Sequence, residues 1–155
     1  MAKMLDRRTF LLTGSAAVAI VTFIGGVAGE ESAGESAEFK HVLEGILNGA
    51  RPAETGLALD LPEHVENGDY VPVALAVDSP MTAENYVKAI HLLSTANPRA
   101  KVATFRFTLL SGKARVTSRL RLAHTQDVVA VAELSDGRLL LTRRKVDVRI
   151  GGCDI

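Results

Sequence analysis

Between Leu57 and Ile150 apolar residues recur at every second position in short runs separated by turn signals, and a chain with that rhythm folds into strands. Leu57, Leu59 and Leu61 alternate with smaller or polar residues and stop at Pro62. Asn67-Gly68-Asp69 is a turn, and Tyr70 to Val77 is a strand in which Pro72 predicts an edge or a bulge. Asp78-Ser79-Pro80 turns the chain again. Tyr86 to Leu93 fits either period, and β-branched Val87 and Ile90 with the turn at Asn97-Pro98 favour strand. From Lys101 to Leu109, Val102, Thr104 and Arg106 alternate with Ala103, Phe105 and Phe107. After Ser111-Gly112-Lys113, the residues Arg115, Thr117, Arg119 and Arg121 alternate with Val116, Leu120 and Leu122. Val128 to Leu134 and Arg138 to Ile150 flank the hairpin signal Ser135-Asp136-Gly137. About seven short strands with turns between them predict an all-β, immunoglobulin-like sandwich.

Upstream of these runs the period is helical. Phe39, Val42, Leu43, Ile46 and Leu47 share one helix face, which Ser36 can cap and Asn48-Gly49 can stop, and the stripe is read as packing on the core. Glu30 to Ser36 is a polar loop. Residues 1–29 read as an export signal: Lys3, Arg7 and Arg8 precede a mildly apolar stretch from Phe10 to Ile24, too short for a confident transmembrane helix. Gly25, Gly26, Ala28 and Gly29 then offer a cleavage site. Asp6-Arg7-Arg8-Thr9-Phe10-Leu11-Leu12 resembles the twin-arginine export motif, although Asp6 and Leu12 depart from it. The expected organisation is a signal over 1–29, a sandwich domain with its N-terminal helix over 30–150, and a tail over 151–155. The expected location is the periplasm, without stable membrane insertion.

The chemistry on offer is narrow. The 155 residues carry a formal net charge of zero, which gives no reason to expect a nucleic-acid partner. His41, His64, His91 and His124 are scattered without metal-ligand spacing, so neither a metal site nor a cofactor is predicted. No phosphate-binding loop precedes a helix, and no nucleophile elbow occurs. Arg115, Arg119 and Arg121, facing one way along a strand, are either a solvated face or a contact for an acidic partner or anionic group. What is left is Cys153, the one cysteine of the chain, behind Gly151-Gly152 and close to the C-terminus. Two glycines and a chain end predict an exposed, mobile thiol, and an unpaired thiol in an oxidising compartment either pairs with another molecule or does chemistry.

Several stretches together resemble SoxY, the carrier subunit of the bacterial sulfur-oxidation (Sox) system. They are Leu59-Asp60-Leu61-Pro62-Glu63, Glu66-Asn67-Gly68, Val77-Asp78-Ser79-Pro80-Met81-Thr82, Asn97-Pro98-Arg99, Val102-Ala103-Thr104-Phe105 and Leu110-Ser111-Gly112-Lys113-Ala114. Arg119-Leu120-Arg121-Leu122-Ala123, Thr125-Gln126, Val128-Val129-Ala130-Val131-Ala132-Glu133 and Ser135-Asp136-Gly137 continue the likeness. The resemblance implies an immunoglobulin-like sandwich paired with a SoxZ-like β-sandwich subunit. It also implies a carrier rather than an enzyme, in which Cys153 is the covalent sulfur attachment residue and Gly151 and Gly152 form a slim carrier arm. The implied partners are a haem enzyme that loads thiosulfate oxidatively as a cysteine S-thiosulfonate, a thiosulfohydrolase that releases sulfate, and a sulfane dehydrogenase.

One departure bears on that chemistry. The usual family tail ends in two glycines after the cysteine, and here Asp154-Ile155 replaces them. Asp154 and the terminal carboxylate set two negative charges beside the thiol and disfavour its thiolate, so loading is expected to depend on an activating enzyme. The alternative function is a periplasmic binding module whose terminal cysteine forms an intermolecular disulfide.

Overall fold

The structure, a computed structural model, describes residues 34–152. Its order is one helix, α1 (Ala37–Leu47), then eight strands: β1 (Leu57–Asp60), β2 (His64–Asn67), β3 (Val71–Val77), β4 (Val87–Ser94), β5 (Lys101–Arg106), β6 (Ala114–Leu120), β7 (Gln126–Leu134) and β8 (Leu139–Ile150). The strands form two sheets, ordered β1-β3-β6 and β2-β8-β7-β4-β5. This is the sandwich expected from the alternation. All pairings are antiparallel except β2 with β8, which run parallel.

Alternation decides which side each strand buries. On β7, Val128, Ala130, Ala132 and Leu134 face the partner sheet and join Ile90 and Leu92 of β4 and Val73 and Leu75 of β3 in the main core. Val129 and Val131 point the other way and meet α1. Both central strands therefore bury apolar residues on both faces, so β4 shows no clean alternation.

The helix forms where its caps predict. Ser36 is extended, and its hydroxyl accepts the Phe39 amide at 3.1 Å. Asn48 closes the other end in the left-handed region, its amide donating to the Glu44 carbonyl. Phe39 is fully buried against Leu93, Ala100, Val129 and Val131, with Val42, Leu43, Ile46 and Leu47 packed around them. Burying that one ring stabilises the docking by about 1.5–3 kcal/mol. Among the described residues no helix is long and apolar enough to cross a membrane.

Three details differ from the sequence expectation: the strand expected from Lys101 to Leu109 ends at Arg106, and Leu109–Ser111 form a short 3-10 helix before β6; the other two concern Pro72 and β2. Pro72 lies on the middle strand of the three-stranded sheet, not on an edge strand. β1 pairs with β3 only from Ala74 to Val77, so at Pro72 only β6 runs alongside, and proline's missing N–H breaks no ladder on the β1 side. The eighth strand, β2, is absent from the expected set. It is four residues long, mostly exposed, and pairs only with β8, so it carries no alternation to reveal it.

Candidate functional site

The site is built where β8 ends and the C-terminal tail begins. Strand β8 runs beside β2 with Asn67 opposite Ile150, and three segments then meet: the turn after β2, the loop after β6, and the tail. Gly68 joins them. Its amide donates to the Ile150 carbonyl at 2.8 Å, and its carbonyl accepts the Leu122 amide at 2.9 Å. The Leu122 carbonyl accepts the Gly152 amide, also at 2.9 Å. The turn itself is set by Asn67, whose side-chain oxygen accepts the Asp69 amide at 2.8 Å.

At all three glycines there is no room for a side chain. A Cβ on Gly151 would fall on the Ala123 carbonyl, one on Gly152 would fall on the backbone of Gly68 and Asp69, and one on Gly68 would fall on the Leu122 carbonyl. None of these obstacles is the movable end of a side chain. The glycines are required because three backbones come together. The sequence reading begins the mobile arm at Gly151; in the structure Gly151 and Gly152 are docked, Gly152 is buried, and both belong to the fold. Cys153, Asp154 and Ile155 lie outside the described residues.

The loop that receives the tail is fixed from inside by buried amide side chains. Asn97 donates from Nδ2 to the Arg121 carbonyl at 2.8 Å, and its Oδ1 accepts the Ala123 amide at 2.9 Å and Gln126 Nε2 at 2.7 Å. Gln126, fully buried, also accepts the Ala96 amide on Oε1 at 2.8 Å. Thr125 Oγ1 takes the Val148 amide at 2.9 Å and so ties the loop to β8 just before the tail. A buried amide network is rigid only when every member is satisfied, and no buried side-chain polar atom among the described residues lacks a partner.

Around this root the surface is mixed. Tyr70 is 59% exposed, and the Arg119 guanidinium lies over its ring, 4.6 Å from the centroid. Arg121 and His124 are exposed on either side of Leu122-Ala123, and Ile150 is exposed as well. The other histidines take no part. His91 is buried on β4 between Thr104 Oγ1 (3.0 Å) and Glu133 Oε1 (2.9 Å), and His64 reaches Asp147 at 3.1 Å on the surface. A broad open cleft of about 670 Å³ lies at the far end of the three-stranded sheet, beside Ala58, Ala76, Lys113 and Arg115, away from the tail.

Sequence reasoning placed Gly151 and Gly152 at the site but missed Gly68, Asn97, Thr125 and Gln126. Their signal was present in another form. Glu66-Asn67-Gly68, Asn97-Pro98-Arg99, Arg119 to Ala123 and Thr125-Gln126 are all stretches that carry the resemblance noted above, and the fold brings them together at the tail root.

Fold and site together define a class: a small two-sheet sandwich that fixes the base of a cysteine-bearing C-terminal tail. The family model of the sulfur oxidation protein SoxY matches residues 44–153, a span that holds the whole tail root and ends on the cysteine. The chain belongs to the SoxY family. Among solved structures it is similar to the sulfur carrier protein SoxY from Chlorobium limicola f thiosulfatophilum, at 30% identity, covering 73% of this chain and 97% of that one with a TM-score of 0.58. Superoxide reductases share the fold alone. The neelaredoxin of Ignicoccus hospitalis is 20% identical over 68% of this chain and 88% of its own, with a TM-score of 0.55. The enzyme of Nanoarchaeum equitans is 9% identical over 62% of this chain and 100% of its own, with a TM-score of 0.53. No curated protein sequence is similar enough to match this chain.

Proposed function

We propose that the protein is a periplasmic sulfur carrier that holds thiosulfate-derived sulfur covalently on Cys153 and presents it to the enzymes of sulfur oxidation. It acts as a carrier rather than an enzyme, in keeping with its family and with the sulfur carrier it is similar to. The observation that carries this reading is the docked root. Gly152 is clamped to Leu122, Gly68 and Asp69, and the residue that follows it is the thiol. A cargo attached there has a defined point of departure from a rigid body, which a partner enzyme can find in one orientation.

In the proposed cycle the Cys153 thiol loses its proton and forms an S–S bond to the outer sulfur of thiosulfate. Two electrons leave one at a time through the haem of the loading enzyme to that enzyme's electron acceptor, and the product is a cysteine S-thiosulfonate. Water then attacks the sulfonate sulfur in a hydrolase. The bond between the two outer sulfurs breaks, sulfate departs, and a persulfide stays on Cys153. The first step needs a thiolate that the neighbouring Asp154 carboxylate does not favour, so the loading enzyme activates the thiol or the thiosulfate. A SoxZ-like β-sandwich is the proposed stable partner, and the twin-arginine pair Arg7-Arg8 the proposed export signal.

Intact-mass analysis of the protein taken from its own periplasm without reductant tests the reading. Sulfur adducts on Cys153 that reductant removes are expected. A covalent dimer through Cys153, with no sulfur adduct on any fraction, would replace the carrier with a disulfide-forming module.

A further inference from the structure

Strand β6 carries a second feature that the carrier chemistry does not use. Its alternation buries Ala114 and Leu120, and Leu122 beyond it, and leaves Lys113, Arg115, Thr117, Arg119 and Arg121 exposed along one line. On the neighbouring strand the residues opposite are neutral: Ala76 beside Arg115, Ala74 beside Thr117, Pro72 beside Arg119. Cross-strand pairs in sheets commonly set opposite charges side by side, and here none does. Among the described residues, Lys113, Arg115, Arg119 and Arg121 close no salt bridge, and neither do Lys40, Arg51, Lys88, Arg99, Lys101, Arg106 and Arg144; Arg138, Lys145 and Arg149 each close one and Arg143 closes two. Asp78 shares the cleft at the far end with Lys113 and Arg115 without pairing, and Asp60 lies on β1, across the neutral face of β3. β6 is also a sheet edge, bordered only by β3.

We infer that this row, Lys113, Arg115, Arg119 and Arg121, is the surface on which the enzyme that loads the tail docks, and that it takes an acidic protein face. The inference rests on the carrier reading above and adds to it where the partner sits. Position is the first argument. Leu122, next to Arg121, accepts the Gly152 hydrogen bond, and Tyr70, under Arg119, follows directly on Asp69, which abuts Gly152. The row therefore begins at the tail root, and an enzyme lying on it has the tail at its boundary. Length is the second. At about 3.3 Å per residue the row spans roughly 26 Å, the scale of a protein contact and several times that of a small sulfur anion. Composition is the third. An arginine preorganised on an exposed tyrosine is the kind of anchor that dominates protein interfaces, and unpaired cations in a line speed encounter with an acidic surface.

The test compares the mature wild-type chain with Arg115→Glu/Arg119→Glu/Arg121→Glu, loaded with thiosulfate by the haem enzyme at low and at high ionic strength. Wild-type kcat/KM for the carrier is expected to fall as salt rises, and the reversed variant to lie about tenfold or more below wild type at low salt, with the gap closing at high salt. Alkylation of Cys153 by a small neutral reagent is expected to be equal in both. Arg115→Glu alone, exposed on the edge and opposite Ala76, gives the same comparison if the triple variant does not fold. Equal loading of wild type and variant at low salt would overturn the docking row and leave the carrier intact, since charges that merely keep an open sheet edge soluble predict that result. A loss confined to the KM for thiosulfate would overturn it in favour of a small-anion contact. A wild-type chain that never loads would refute the carrier reading and this inference with it.

Discussion

Gly152→Ala probes the tail root most sharply. The new methyl would meet the backbone of Gly68 and Asp69, both held by hydrogen bonds, so the tail rather than its receptor must yield. Undocking forfeits the Gly152 amide bond to Leu122 and loosens the neighbouring Gly68–Ile150 bond. Each such bond contributes about 0.5–1.5 kcal/mol net, so the loss is about 1–2 kcal/mol. In a domain of this size that lowers Tm by about 4–8 °C. The core is untouched, because the residues released lie beyond the last strand. Gly68→Ala is expected to cost more, about 2–3 kcal/mol. Its methyl meets the carbonyl of fully buried Leu122 and lies 3.0 Å from the Val148 side chain, so the strain enters the sandwich. Thermal unfolding gives the stability change, and amide hydrogen exchange locates it: protection at position 152 should vanish in Gly152→Ala while the strands keep theirs. A Gly152→Ala protein with wild-type Tm and a protected amide at position 152 would show that the tail is not docked as described.

Three further outcomes are expected. Gln126→Ala removes the donor to Asn97 Oδ1 and the acceptor of the Ala96 amide, and should destabilise by about 2–3 kcal/mol in denaturant unfolding; a loss under about 0.5 kcal/mol would mean water replaces the side chain. In the β7–β8 hairpin, hydrogen bonds from the Arg138 backbone and guanidinium hold the Asp136 carboxyl below its ordinary pKa. A depressed folded pKa gives stability that is present above the unfolded value and lost as pH falls through the folded one. In Arg138→Ala the Asp136 carboxyl, followed by NMR, should therefore titrate at higher pH than in wild type, and an unchanged midpoint would contradict the pairing. Replacing Arg7 and Arg8 together by Lys should leave the precursor in the cytoplasm on fractionation, and normal periplasmic accumulation would exclude the twin-arginine route.

Features with a local cause were readable from the sequence. Ser36 caps α1, Asn48 closes it, Ser135-Asp136-Gly137 turns β7 into β8 with Gly137 at φ 85°, and β6 alternates as its residues predict. Features caused by distant neighbours were not. β2 exists because β8 lies beside it, and Pro72 is tolerated because β1 ends early. The tail glycines were read as a slim, mobile arm, yet in the structure the missing Cβ is what lets them dock against backbone. That role shows only once Gly68 and Ala123 are known to stand against them. Gln126 gave no sign of burial, since a polar side chain is buried only where partners such as Asn97 and the Ala96 amide wait for it.

Covalent attachment of sulfur to Cys153 underlies the proposed carrier function. The measurement that bears on it most directly is the intact mass of the purified chain after incubation with thiosulfate and the oxidising haem enzyme, with Cys153→Ser alongside. A thiosulfonate adduct is expected on the wild type, slow to form without the enzyme, and none on Cys153→Ser. A wild-type chain that stays unmodified with the loading enzyme, while its thiol still reacts with a small alkylating reagent, would contradict it.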